Sequence, residues 1–144
     1  MTMTMPVLST RQKQLVRESF ESVADYSNSL TKLFYGRLFK IAPGLRSLFK
    51  NSLEEQSKKL LQMLVTIVNS LDHWQDLQPQ LAELGRKHVA YGIKPEHYDV
   101  VRTALLWALA QALEYQFDPE TKTAWDQLLR AVSTAMLDHE RSSL

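Results

Sequence analysis

The chain has 144 residues and no cysteine, and its 17 basic and 16 acidic residues give a net charge of +1. This length suits one domain, and the lack of cysteine excludes disulfides, thiolate metal sites and cysteine nucleophiles. A nearly neutral charge argues against a general nucleic-acid binder, and no apolar run approaches the roughly 20 residues of a membrane span. We therefore expect one cytoplasmic domain over residues 1–144, folded from about 10 to 140, with residues 1–8 flexible.

Apolar residues repeat at helical spacing along the chain, without strand alternation. The first helix is predicted to begin at Ser9 or Thr10, either of which can cap it, and the second to cover about 29–41. Pro43 is expected to open a short helix. Ser52 begins a capping box, and the helix after it carries the clearest amphipathic stripe, formed by Leu60, Leu64, Ile67, Val68 and Leu71.

Prolines mark the predicted helix starts in the second half of the chain. Pro79 is expected to open a shorter helix that Gly92 ends in the left-handed conformation. Pro95 opens the next helix, and Asp118 caps the last one, with Pro119 at its first position. The predicted fold is therefore all-α, with about six long helices and one short helix around one core.

Three polar side chains interrupt the apolar faces of these helices: Gln56, His88 and Glu140. Tyr35 and Tyr98 also lie on inward faces. Each has an ordinary explanation, since a lone histidine on an apolar stripe is usually a hydrogen-bonded core residue and buried tyrosines usually satisfy their hydroxyls. Taken one at a time, they do not define a site.

The combination resembles the globin family, and specifically the haem domain of bacterial flavohaemoglobins and their single-domain relatives. The resemblance covers about residues 10–140, nearly the whole chain. The segments that carry it are 33–39 (Leu-Phe-Tyr-Gly-Arg-Leu-Phe), Pro43 with 48–49, Gln56 with Leu60, 84–88, 94–98, 124–125 and Glu140.

The resemblance implies a globin fold with haem b, iron protoporphyrin IX, between the helix of Gln56 and the helix of His88. It implies that His88 is the axial ligand of the iron and that Phe49 packs on the porphyrin face. Tyr35 and Gln56 match the distal polar pair, which would donate hydrogen bonds to a bound gas and act as the catalytic positions.

Further residues are implied to hold the cofactor. The apolar disc of haem needs an apolar wall, for which we expect Leu60, Leu64, Ile93 and Val101. On the other side, Tyr98 and Glu140 match the partners of the ligand histidine. The carboxylate of Glu140 would accept a hydrogen bond from the second ring nitrogen, and the Tyr98 hydroxyl would hold that carboxylate.

These features predict a haem protein that reversibly binds dioxygen, nitric oxide and carbon monoxide. The strongest chemical candidate is oxidation of nitric oxide to nitrate, which would need a separate reductase because no Gly-rich dinucleotide fingerprint is present. A haem-based gas sensor and a haem-free interaction domain of globin shape are the alternatives. We expect no nucleic-acid or membrane partner, and either a monomer or a homodimer.

Overall fold

The computed structural model describes residues 8–138, and in this range the chain forms helices and no β-strand. Two short 3-10 helices cover Pro43–Leu48 and Glu114–Gln116. The longer elements are α1 (Thr10–Ala24), α2 (Ser27–Ile41), α3 (Leu53–Asn69), α4 (Trp74–Ala90), α5 (Pro95–Leu113) and α6 (Pro119–Leu137). The all-α prediction is confirmed, and the 3-10 helix at 114–116 is an addition to it.

Helix starts follow local capping signals. At α1, the Ser9 hydroxyl accepts a hydrogen bond from the Gln12 amide at 3.1 Å, and the Gln12 side chain accepts one from the Ser9 amide at 2.9 Å. Ser52 and Asp118 cap α3 and α6 through their side chains, each accepting a backbone N–H three residues on, at 3.2 and 2.8 Å. These bonds satisfy amides that have no partner inside the helix, which makes the starts readable from sequence.

The start of α4 differs from the prediction. The expectation that Pro79 opens a short helix is wrong, because α4 begins at Trp74 and contains Pro79 in its interior. Trp74 and Leu77 are buried, and their burial extends the helix over a residue that has no N–H to donate. The other end follows the prediction, since Gly92 adopts a φ of 92° after the helix.

The core is built mainly by α2 against α5 and by α6 against α4, α1 and α5. Trp125 of α6 is fully buried, and its indole N–H donates to the hydroxyl of Ser19 in α1 at 2.8 Å. Leu8 is buried ahead of α1, whereas residues 1–7 and 139–144 lie outside the described range. None of the helices within 8–138 is long and apolar enough to cross a bilayer.

Helices α3 and α4 belong to different sides of this core. α3 packs on α1 and α2, whereas α4 packs on α6, and within residues 8–138 the two share no extensive interface. The sequence predicted a cofactor between these two helices, and we call the region between them the α3–α4 cleft. Of the side chains singled out from the sequence, Gln56, Leu60 and Leu64 belong to α3, and His88 belongs to α4.

Candidate functional site

His88 lies in the last turn of α4 and is half-buried. Its Nδ1 lies 2.8 Å from the backbone carbonyl oxygen of Leu84. Because a carbonyl can only accept, Nδ1 carries the proton and Nε2 keeps its lone pair. Burial lowers the pKa of His88, against a smaller opposing effect of the Leu84 hydrogen bond, so the ring is neutral near pH 7. A neutral imidazole with a free Nε2 lone pair is the form that binds a metal.

Tyr35 belongs to α2 and is surrounded by aromatic rings. Its ring centroid lies 4.8 Å from that of Phe34, 5.9 Å from that of Phe39 and 5.8 Å from that of Phe49. The residue is 6% exposed, and no hydrogen bond joins its hydroxyl to another residue of 8–138. Burial raises the pKa of Tyr35 to about 12, so the hydroxyl keeps its proton and remains a donor.

Gln56, Leu60 and Leu64 follow one another at four-residue spacing along one face of α3. Leu64 is buried, whereas Gln56 and Leu60 are half-buried. The face therefore begins with a carboxamide, which can donate two hydrogen bonds, and continues as an apolar wall. This is the order that the sequence predicted for one side of the cofactor.

The other side of the cleft is formed by the end of α4 and the beginning of α5. Ile93 lies in the turn between them, and its amide donates to the His88 carbonyl at 2.9 Å. Tyr98 and Val101 follow in α5, half-buried and packed against the core. Glu140 lies outside the described residues, so its predicted contact with His88 stays a prediction.

The carbonyl of Leu84 was missed as a partner of the histidine. The sequence prediction named only the Glu140 carboxylate as acceptor for the second ring nitrogen, and in the structure the backbone carbonyl four residues before His88 also lies at hydrogen-bond distance from Nδ1. The signal was available, because the carbonyl of residue i−4 lies beneath residue i in a helix. A histidine in a last helical turn can thus be oriented without any distant residue.

These residues fit haem. Phe49, Leu60, Leu84 and Val101 are apolar and only partly buried, although each packs against the core. Exposed apolar surface costs about 25 cal/mol per Å², so a flat apolar cofactor in the cleft would stabilise the fold by covering them. His88 supplies the metal-binding nitrogen on α4, and Gln56 supplies a polar group on α3.

An all-helical core and a neutral histidine in the last turn of α4, whose Nε2 lone pair is available to a metal, are features expected of a helical haem protein. The chain belongs to the globin family, whose family model matches residues 32–136. The matched region begins in α2 and reaches α6, so it includes both walls of the cleft. Haem is the cofactor that membership of this family implies.

Individual relatives agree with this membership. The chain is 31% identical to flavohemoprotein B of Dictyostelium discoideum over 93% of its own length and 32% of that protein. Its fold matches a bacterial globin of Campylobacter jejuni with a TM-score of 0.80 at 23% identity, covering 94% of this chain and 98% of that one. An engineered carbene transferase from Rhodothermus marinus matches with a TM-score of 0.82 at 25% identity, covering 94% and 96%.

The flavohemoproteins among these relatives are much longer than this chain. The chain spans about a third of the length of the flavohemoproteins that it matches, 32% and 34% for the two Dictyostelium discoideum proteins. The match with these proteins is thus confined to about a third of their length.

Proposed function

We propose that this chain binds haem b through His88 and binds dioxygen reversibly in the α3–α4 cleft. The observation that carries the proposal is the 2.8 Å contact between His88 Nδ1 and the Leu84 carbonyl. That bond fixes the tautomer whose Nε2 can bind iron, and the lowered pKa keeps the ring neutral at physiological pH. Phe49, Leu60, Leu64, Ile93 and Val101 form the apolar contacts of the cofactor.

The polar residues of the cleft act on the bound gas. Haem, when bound, supplies an iron atom that binds diatomic gases and shifts electron density onto dioxygen. The Tyr35 hydroxyl and the Gln56 carboxamide would be the hydrogen-bond donors for a bound gas that carries this negative charge. Each such bond stabilises the ligand by about 1 kcal/mol or more in a site that excludes water, so release of dioxygen is slow.

The reaction that this arrangement favours is oxidation of nitric oxide to nitrate. One nitric oxide, one dioxygen and one electron make one nitrate ion, so turnover needs an electron from a reductase. The Rhodothermus marinus relative is provisionally assigned as a nitric oxide dioxygenase, and the flavohemoproteins carry a longer chain than this one. Carbon monoxide is a third ligand of the same site. A cytoplasmic location and a single domain over 1–144 stay predictions.

A series of absorption spectra tests haem binding. Purified protein is expected to show a haem spectrum that responds to reduction and then to carbon monoxide, with ferrous iron five-coordinate. His88→Ala should lose that spectrum and regain it in part with added imidazole, whereas the exposed His73→Ala should keep it. Wild-type protein that is colourless and takes up no added hemin would leave the haem-free interaction domain as the function.

Stopped-flow mixing of the oxygenated protein with nitric oxide tests the reaction. We expect nitrate in a one-to-one ratio to the oxygenated protein, and repeated turnover only when a reductant is supplied. Slow or absent nitrate formation with intact oxygen binding would restrict the function to gas binding.

A further inference from the structure

Charge is segregated in this protein although its net charge is only +1. Segments 37–62 and 83–97, which contain Phe49, Gln56, Leu60, His88 and Ile93 of the predicted haem site, hold nine basic and four acidic residues, a net charge of +5. The rest of the chain holds eight basic and twelve acidic residues, a net charge of −4. The net charge of the whole chain is therefore the sum of a positive charge in these segments and a negative charge in the rest.

The basic residues away from the cleft are mostly neutralised within the fold. Arg11 pairs with Glu120 at 3.0 Å, and Arg17 pairs with Asp72 at 2.6 Å. In α5 and α6, both Arg102 and Arg130 pair with Asp126, at 3.1 and 2.9 Å. These cations already have acidic partners within the fold, and Arg11 and Arg102 each join two helices.

Four exposed lysines are sequence neighbours of residues assigned to contact haem, and we call them the basic rim: Lys50, Lys59, Lys87 and Lys94. None of them forms an ion pair with another residue of 8–138. Unpaired cations that lie close together repel one another, so four of them around one opening would cost folding stability. The arrangement is explained if their partner comes from outside the chain.

Each rim lysine is the sequence neighbour of a residue assigned to contact haem. Lys50 follows Phe49, Lys59 precedes Leu60, Lys87 precedes His88 and Lys94 follows Ile93. The apolar or ligating neighbour is partly buried in each pair, while the lysine is exposed. The rim lysines therefore accompany the predicted haem contacts along the chain, from the segment before α3 to the turn after α4.

The two sides of the rim are held close together. Gly92, two residues before Lys94, lies so near the 3-10 helix 43–48 that an added Cβ would be 3.4 Å from the Leu48 side chain. A depression of about 320 Å³ lies at this junction, with Leu48 and Lys94 among the residues that line it. Lys94 and the segment leading to Lys50 thus form one continuous surface.

We propose that the basic rim is the docking surface for an electron-donor protein with an acidic face. The inference rests on the proposed function, which requires one electron per nitrate from outside the chain. In the complex the donor is oxidised by one electron and ferric haem is reduced to ferrous haem, with no bond formed or broken. The two propionates of haem carry two negative charges at most, so four lysines leave positive charge for the partner.

The remaining charge distribution favours a protein donor with a local acidic patch. Nucleic acids and anionic membranes present negative charge over a wide area, which the net charge of −4 outside the cleft segments would repel. A compact acidic patch matches the rim alone. Complementary charge of this kind raises association rates and orients the encounter, which brings the donor cofactor to the haem edge.

The test compares two double variants that remove equal charge. Lys59→Gln/Lys87→Gln neutralises one lysine on each side of the cleft, and Lys32→Gln/Lys122→Gln neutralises two exposed lysines that also lack ion pairs within 8–138. The probe is a flavodoxin, an acidic flavoprotein. Its dissociation constant is measured by calorimetry at low and high salt, and its reduced form is mixed with the ferric proteins to measure the rate of haem reduction.

We expect the rim variant to weaken flavodoxin binding by about tenfold at low salt and to slow reduction in proportion, and high salt to abolish the difference. The Lys32→Gln/Lys122→Gln variant should change the dissociation constant of flavodoxin and the rate of haem reduction by less than twofold each. Equal effects of the two variants, or no effect of salt, would overturn the proposal. So would binding of duplex DNA or anionic vesicles that is tighter than flavodoxin binding and is lost in the rim variant.

Failure of the haem proposal gives a different result. A colourless wild type would show no reduction step, yet calorimetry would still compare the two variants for binding. Normal haem spectra together with equal behaviour of the two variants would reject the rim and leave the proposed function standing.

Discussion

Ser19 connects two helices through a hydroxyl that both donates and accepts. It donates to the Leu15 carbonyl at 2.6 Å within α1 and accepts from the Trp125 indole N–H of α6 at 2.8 Å. Both Ser19 and Trp125 are buried, so water cannot replace the lost partner if the hydroxyl is removed. Losing the bond would therefore leave the Trp125 N–H buried without an acceptor, which costs more free energy than the bond itself contributes.

Ser19→Ala is expected to lower the free energy of unfolding by about 1–3 kcal/mol, because the Trp125 N–H would be buried without an acceptor. Urea unfolding measures the difference. Ser22→Ala is the matched control, since the Ser22 hydroxyl bonds only to the Glu18 carbonyl at an exposed position. A change for Ser19→Ala no larger than that of the control would mean that the indole finds another partner.

Tyr35 is the residue on which the oxygen chemistry most depends. Tyr35→Phe should speed dioxygen dissociation about fivefold, the effect of losing one hydrogen bond of about 1 kcal/mol. The fold should tolerate the change, because no residue of 8–138 bonds to the hydroxyl. Stopped-flow displacement of oxygen by carbon monoxide measures the rate, with the exposed Tyr91→Phe as control. An unchanged off-rate would remove Tyr35 from the donor role.

The same hydroxyl predicts how stability responds to alkaline pH. Burial raises the pKa of Tyr35 to about 12, above its ordinary value of 10.0 in the unfolded chain. The protonated form is thus favoured by folding, so its contribution is fully present below pH 10 and is lost as the pH rises towards 12. Unfolding experiments above pH 10 should show a shallower loss of stability in Tyr35→Phe than in wild type, whereas Tyr91→Phe should behave as wild type.

Two prolines occupy opposite positions in their helices. Pro95 is the first residue of α5, where the missing N–H has no intrahelical role and the fixed φ suits the helix. Pro79 lies inside α4, where it cannot donate to the carbonyl four residues earlier. α4 forms in spite of this because Trp74 and Leu77 are buried in its first turn.

Pro79→Ala is expected to raise the free energy of unfolding by about 1–2 kcal/mol, because the regained hydrogen bond outweighs the added freedom of the unfolded chain. Pro95→Ala should lower the free energy of unfolding by about 0.5–1 kcal/mol, because alanine there gains no intrahelical hydrogen bond and gives the unfolded chain more freedom. Thermal or urea unfolding of both variants gives the comparison. A loss of stability in Pro79→Ala would show that the carbonyl four residues before Pro79, which has no helical N–H donor in the wild type, is hydrogen-bonded to water without a cost in free energy.

The molecule as a whole divides into a closed core and an open cleft. The contacts of α6 with α1, α4 and α5 bury Trp125 and its neighbours completely. α3 and α4 each pack on this core from a different side, and Leu60 of α3 and Leu84 of α4 are only partly buried. Stability is therefore uneven, and the walls of the cleft are the part that a cofactor would stabilise most.

Removing haem should affect the two parts unequally. Haem at a thousandfold excess over its dissociation constant stabilises the folded state by about 4 kcal/mol. We expect amide hydrogen exchange in α3 and in the last turns of α4 to accelerate on haem removal, while α1 and the middle of α6 change little. Uniform acceleration in all helices would indicate that the cleft is no separate unit and that haem stabilises the fold globally.

Most of the fold could be predicted because its signals are local. Capping by Ser52 and Asp118, the left-handed Gly92 and the helical spacing of apolar residues each depend on neighbours within a few positions. The end of α5 gave no such signal, since Glu114 adopts a φ of 52° without a glycine or proline there. Its 3-10 helix was consequently not predicted.

The candidate site divides in the same way. The order of Tyr35, Gln56 and His88 along the chain and its family resemblance were readable from residues alone. The early start of α4 and the unpaired state of Lys59 and Lys87 were not. Those properties depend on which groups from distant parts of the chain come within a few ångströms, because burial and ion pairing are set by packing and not by sequence spacing.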